Sequence, residues 1–150
     1  MLVTHPGEKR MNREEAKTIS LELVGRSKIA FLSTIDENGF PCVKAMLNLY
    51  HEELETVCFS TNTSSKRVAH INRNEKASVY FCDQEKFLGL LLIGRIRVVR
   101  DREARKKLWF EGSEAFYPLG VDDPDYSVLT FSTEKCDLYY GSGKIQFNIE

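Results

Sequence analysis

The sequence is poor in the residues that mark several protein classes. Its 150 residues include 4 Pro and 9 Gly, too few for a collagen-like or low-complexity chain. With 3 His and 4 Cys, no C-x-x-C pair and no His at ligand spacing to a Cys, a zinc site has little support. Cys42, Cys58, Cys82 and Cys136 lie in apolar or strand-like segments and read as buried, reduced thiols. An excess of one charge is also missing. With 21 basic and 22 acidic side chains the net charge is -1, so no whole-molecule field attracts nucleic acid or an anionic membrane. Any anion site must be local. The longest apolar run, residues 87–93, is broken by Gly89 and falls far short of the roughly 20 residues that span a bilayer. The first ten residues contain His5, Pro6, Gly7, Glu8 and Lys9 where a secretory leader needs an apolar stretch. The expectation is a cytoplasmic protein with neither a membrane nor a nucleic-acid partner.

What is present is the makeup of a globular domain, with 42% apolar and 29% charged residues. The length suits one domain, read as residues 12–150 behind a tail at 1–11. Asn12 and Glu15 have capping-box spacing, and Ala16, Ile19, Leu23 and Val24 recur at helical intervals until Gly25. The period then becomes two. Residues 29–35 and 40–50 read as strands joined by a tight Asn38-Gly39 turn, followed by a strand at 55–61. Thr63 or Ser64 is placed to cap a short helix to about Arg73. Strands follow at 77–82 and 87–100, then a helix capped by Asp101, an irregular loop over 112–125, and strands at 127–132, 135–140 and 145–149. Many antiparallel strands with few helices predict a mainly β fold, a small barrel whose closure hides strand edges.

Two segments carry candidate chemistry. On strand 40–50, alternation predicts Val43, Ala45, Leu47 and Leu49 as core, and Lys44, Met46, Asn48 and Tyr50 as the wall of a groove for an aromatic, partly polar ligand. Solvent exposure explains that second face equally well. The segment Phe59-Ser60-Thr61-Asn62-Thr63-Ser64-Ser65-Lys66-Arg67 runs from a strand end into a helix start. Its hydroxyls, two cations and first-turn amides suit a phosphate, and a merely well-capped helix is the bland alternative. No acid–base dyad, activated nucleophile or metal cluster is apparent, and Asp122, Asp123 and Asp125 fit turn chemistry around Pro124 better than a calcium loop.

The order of Val43-Lys44-Ala45-Met46, Phe59-Ser60-Thr61-Asn62, Ser65-Lys66-Arg67 and Gly94 in a long strand resembles the pyridoxamine 5'-phosphate oxidase-like, FMN-binding split barrels. Leu108-Trp109, Phe116-Tyr117-Pro118-Leu119-Gly120 and Asp122-Asp123-Pro124-Asp125 are similar to its general-stress-protein branch. The resemblance implies a six-stranded antiparallel split barrel, a homodimer with one FMN in each of two clefts at the subunit interface. It puts Lys44 at the ribityl-phosphate strand and passes Ala45, Met46 and Leu47 beside the flavin ring. Ser60 and Thr61 match strand-end residues facing the cofactor, and Ser65, Lys66 and Arg67 match the phosphate-binding turn. Trp109 is implied to approach the flavin of the partner chain, with a half-buried helix aromatic as the equal alternative.

The resemblance further implies an FMN-dependent oxidoreductase acting on an unidentified small molecule, with a nicotinamide as a possible electron donor. A flavin carrier or sensor without turnover, or the same fold holding haem or a deazaflavin, are the alternatives. Vitamin B6 oxidation is not expected. The family's authentic oxidases end in an extension with a Trp and an Arg-x-His-type motif, whereas residues 143–150 contain neither and no His follows His70.

Overall fold

The computed structural model describes residues 11–149. Of the tail expected over 1–11, only Met11 lies within them, and it packs partly against the core.

Helix α1 (Arg13–Arg26) is capped as its sequence requires, with the Glu15 amide donating to Asn12 Oδ1 at 2.9 Å. The Glu15 carboxylate accepts from the Asn12 side-chain amide, at 2.9 Å, where a capping box would use the backbone amide. Strands β1 (Ile29–Ile35) and β2 (Pro41–Leu47) form the expected hairpin, and Gly39 takes the positive φ of 84° that its turn needs. The predicted strand 40–50 is interrupted after Leu47. The Asn48 side-chain amide turns away to donate to Val24 O and Ser27 O, both at 2.9 Å, tying the strand end to the C-terminus of α1. Pairing resumes in β3 (Tyr50–Glu52), which lies against β4 (Thr56–Asn62).

Helix α2 (Lys66–Arg73) follows, and its cap is Ser65, one or two residues beyond the positions expected. Thr63 and Ser64 are held elsewhere, by Pro124, Asp125 and Ser127. Then come β5 (Lys76–Asp83), β6 (Leu88–Val99), α3 (Arg102–Leu108) with its Asp101 cap, and a 3-10 turn at Ser113–Ala115. The two strands expected at 127–132 and 135–140 are one continuous strand, β7 (Tyr126–Tyr140), ahead of β8 (Gly143–Asn148). One edge of β7 pairs with β6, while its other edge serves β4 up to Ser132 and β8 from Lys135. The register slips between Ile93 and Gly94, where a Cβ on Gly94 would collide with the Ser132 carbonyl.

The protein is mainly β, an antiparallel split barrel with short helices. Six strands run in hydrogen-bonded order β2-β1-β5-β6-β7-β4, with β3 added outside β4 and β8 off this path on β7. The path does not close, because β2 and β4 approach one another without pairing. That seam is the split. The core fills the inside of the sheet with Leu32, Val79, Phe81, Leu90, Leu92, Phe59 and Phe131, plugged by Leu23 and Val24 of α1 and by Val68 and Ile71 of α2. Thr34 Oγ1 and His70 Nδ1, 2.9 Å apart and buried, fasten α2 to β1.

The facing predicted for β2 is reversed. Ala30 of β1 is fully buried and pairs with Met46, so Met46 points inward and Val43, Ala45 and Leu47 point out. Val43 is 69% exposed and Leu47 46%. Hydrophobicity alone suggested the opposite, because the outward face of this strand is the more aliphatic one. Two of the four free thiols also differ from expectation: Cys58 and Cys136 are buried, but Cys42 and Cys82 are half-buried.

Candidate functional site

A groove of about 220 Å³ opens at the seam. One wall is β2, with Lys44, Ala45, Met46 and Leu47, continued by Leu49. Facing it are Ser60, Thr61 and Asn62 at the end of β4, with Arg67 from the first turn of α2. The third wall is the loop after α3, which supplies Phe110, Phe116 and Tyr117. Seven of the ten residues singled out in the sequence therefore meet in one groove although they come from three separate segments.

The other three stand outside it. Ser65 backs the groove: Thr61 Oγ1 donates to its hydroxyl at 3.1 Å, and that hydroxyl accepts the Val68 amide at 3.4 Å as the cap of α2. Lys66 faces a neighbouring hollow of about 520 Å³ between the β1–β2 turn and α2, which Arg67 also lines. Trp109 does not line the groove. Its half-buried ring packs 6.2 Å from Tyr117 and 5.5 Å from Tyr126, and Tyr117 stacks on Tyr126 at 4.4 Å. A larger hollow of about 650 Å³ between α3 and the β3–β4–β7–β6 surface contains none of the ten.

The donors where β4 runs into α2 are only partly used. Asp125 takes the Ser64 amide at 2.9 Å and the Asn62 side-chain amide at 2.8 Å, and Thr63 N donates to Asp125 O at 2.7 Å. The Asp125 carboxyl is held below the usual carboxylate range, first by the bond from the Ser64 backbone. The amides of Lys66 and Arg67, the first two of α2, have no acceptor among the described residues. Nor does any carboxylate form an ion pair with Lys44, Lys66 or Arg67 there. Lys44 and Arg67 thus line the groove beside two open amides, with Lys66 on the adjoining hollow, an arrangement that attracts an oxyanion.

Much of the remaining lining is apolar. Burial pushes the Tyr117 phenol up to about 12, so it stays protonated and acts as a ring rather than a base. Periodicity could not find Phe110, Phe116, Tyr117, Leu49 or Asn62 as lining residues. Phe116-Tyr117 was visible as a motif, but only the fold of the loop carries it across the seam.

Residues 14–150 match the sequence profile of the family described as Pyridoxamine 5'-phosphate oxidase like. No curated protein sequence matches the chain. Among solved structures, it is similar to a Clostridium acetobutylicum protein related to general stress protein 26, of the pyridoxinephosphate oxidase family. Identity there is 43%, over 92% of this chain and 97% of that one, with a TM-score of 0.84. The general stress protein 26 of Bacillus anthracis shares the fold at 18% identity, covering 89% and 98% of the two chains with a TM-score of 0.73. A haem-binding protein from Mycobacterium smegmatis shares it at 14% identity and a TM-score of 0.70, with 97% of this chain spanning 60% of that one.

Proposed function

Because the chain belongs to the pyridoxamine 5'-phosphate oxidase-like family, we propose that it is a flavoprotein holding FMN in the seam groove and exchanging electrons between that flavin and a small molecule. The observation that carries this reading is the mixed lining of the groove. Lys44 and Arg67 supply positive charge, with the open amides of α2 beside Arg67, and Met46, Leu47, Phe110, Phe116 and Tyr117 supply apolar surface. A molecule with a phosphate tail and a planar ring matches both kinds of lining.

When bound, FMN supplies reversible electron and hydride transfer at its ring. The chain's own residues bind and orient. Lys44 and Arg67 offset the phosphate charge, Lys66 adds to it from the flank, and the Thr61–Ser65 bond keeps the turn in place. Buried Met46 and the aromatic loop exclude water from the ring's side. Among the described residues the lining contains no carboxylate or imidazole, so turnover rests on the flavin and on how the groove exposes it.

The haem-binding relative motivates a second reading. Haem iron takes His, Cys, Met or Tyr ligands. Among the described residues the groove is lined by neither His nor Cys, Tyr117 keeps its proton, and Met46 is the one remaining haem-type donor, so the lining with its two cations suits a phosphorylated flavin better.

A homodimer belongs to the same proposal. At about 220 Å³ the groove is smaller than the roughly 300–1,000 Å³ of enclosed ligand sites, so a second wall is needed. The apolar residues Ile29, Val43 and Leu47 are exposed on β1 and β2, and a second copy would cover them. The cytoplasm, where thiols stay reduced, suits the four free cysteines, and no described helix is long and apolar enough to cross a membrane.

The test is native purification with mass spectrometry of the bound small molecule, an absorbance spectrum, and light scattering for mass. A yellow dimer with FMN, bleached by a nicotinamide donor, is expected. A yellow protein inert to donors reduces the reading to a flavin holder. A Soret band assigns the groove to haem, and failure to take up added FMN removes the flavin altogether.

A further inference from the structure

Phe116 is an anomaly among the rings of the aromatic loop. Tyr117 is 5% exposed, yet its neighbour Phe116 presents 59% of its surface at the groove mouth. The exposure is not that of a loose loop. The 3-10 turn fixes Phe116 through its amide, which donates to Ser113 O at 3.0 Å, while the buried Ser113 hydroxyl accepts the Phe110 amide at 3.1 Å. Behind it, buried Asp123 accepts the Leu119 amide at 3.1 Å and holds the far end of the loop. The ring itself leans on Tyr117, with centroids 6.3 Å apart and planes tilted by 51°. An exposed apolar ring on so constrained a backbone, lining a groove that also carries Lys44 and Arg67, has the form of a half-built stacking site.

We propose that Phe116 is the specificity-determining residue of the seam groove. It reads the planar ring of the ligand, so the site selects a phosphorylated polycyclic aromatic over a phosphate ester that has no ring. This rests on the phosphate-and-ring reading of the groove given above. Lys44 and Arg67 provide attraction common to every phosphorylated compound, whereas the Phe116 face adds affinity only where a π-surface meets it. Discrimination then resides in the loop and charge recognition in α2 and β2. Neither requires the other to be altered.

The experiment uses the full chain and three probes: FMN, riboflavin and inorganic phosphate, the last as a competitor of FMN. Phe116→Ala is expected to weaken FMN and riboflavin alike by about tenfold, in line with loss of one aromatic contact, and to leave phosphate competition unchanged. Phe116→Tyr, which keeps the ring, is expected to restore both flavins. Equal flavin affinity in wild type and Phe116→Ala overturns the proposal while leaving the groove reading intact. If Phe116→Ala lowers the mass of the particle and weakens all three probes together, the ring serves the contact between copies, and the proposal fails. A wild-type chain that binds no FMN overturns both, and that outcome is distinct because it appears before any substitution is made.

Discussion

The paired flank of the barrel and its open seam obey different rules. Along β1, β5, β6 and β7 every strand has two neighbours, and Leu32, Val79, Phe81, Leu90, Leu92 and Phe131 are completely buried between them. Cations at its edges are answered by carboxylates, as in Arg26–Asp83 at 3.0 Å and Arg95–Glu134 at 3.1 Å. At the seam β2 and β4 do not pair, aliphatic side chains face outward, and Lys44, Lys66 and Arg67 have no such partners among the described residues. The flank is satisfied by the chain itself, whereas the seam is complementary to something else. Folding stability and ligand affinity should therefore separate by region.

The largest effect expected is on the flank. Phe81→Ala should cost about 3–5 kcal/mol, from lost transfer energy and the cavity left behind, read as a drop in the midpoint of urea unfolding. The affinity of the remaining folded protein for FMN should be unchanged. A loss under about 1 kcal/mol, or a matching loss of affinity, would break the division. Tyr117 sits between the regions, lining the groove yet buried, and its phenol is raised from 10.0 to about 12. A raised pKa on an acid that is neutral when protonated means that the folded state holds the proton longer. Stability is then fully present below the unfolded value of 10.0 and falls as pH rises toward about 12, by up to about 2–3 kcal/mol. Urea titrations at about pH 9 and about pH 11.5 measure that fall, and Tyr117→Phe should reduce it by the Tyr117 share, the Cys136 thiol, which burial also pushes up to about 12, keeping part of the rest.

Seam substitutions should reverse the pattern. Lys66→Ala combined with Arg67→Ala should weaken FMN by about 2 kcal/mol, roughly thirtyfold, and shift unfolding by no more than about 0.5 kcal/mol, because neither side chain is paired with a carboxylate among the described residues. Calorimetric titration and urea unfolding on one preparation provide both numbers. Unchanged affinity would move the phosphate to another corner.

How far these regions could be read from the sequence follows the same line. Period-two patterning identified the flank strands, and the Asn12 and Asp101 caps were visible because capping is local. The cluster from Ser60 to Arg67 was legible as a candidate anion corner for the same reason. The facing of β2 was not, since an outward aliphatic face and an inward one have the same alternation, and only pairing with Ala30 and Leu32 decides between them. The continuity of β7 was hidden because Thr133 and Glu134 look like a turn. In the fold Thr133 Oγ1 donates to Leu54 O at 2.6 Å, and the strand changes partners without ending. The loop wall was invisible because Asp125, which holds it to the β4 end, and Asp123, which folds the loop on itself, were recognisable as turn formers, but Asp125 was not recognisable as a clasp to Asn62, 63 residues away in sequence.

Ser65 gives the smallest effect and the sharpest distinction, because it serves both regions at once. Its hydroxyl caps α2 and accepts from Thr61, so Ser65→Ala should destabilise the fold by about 1 kcal/mol through the lost cap alone. If capping were its only task, the folded variant would bind FMN as wild type does. If the hydroxyl also orders the open amides of Lys66 and Arg67 for a phosphate, affinity should fall by a similar amount, and Ser65→Asp should separate the two. An aspartate restores the cap, so stability should recover. Its negative charge at the same corner repels an oxyanion, so FMN binding should weaken further. Recovery of both would mean that the phosphate does not approach this turn, and that the seam's unpaired cations serve another ligand.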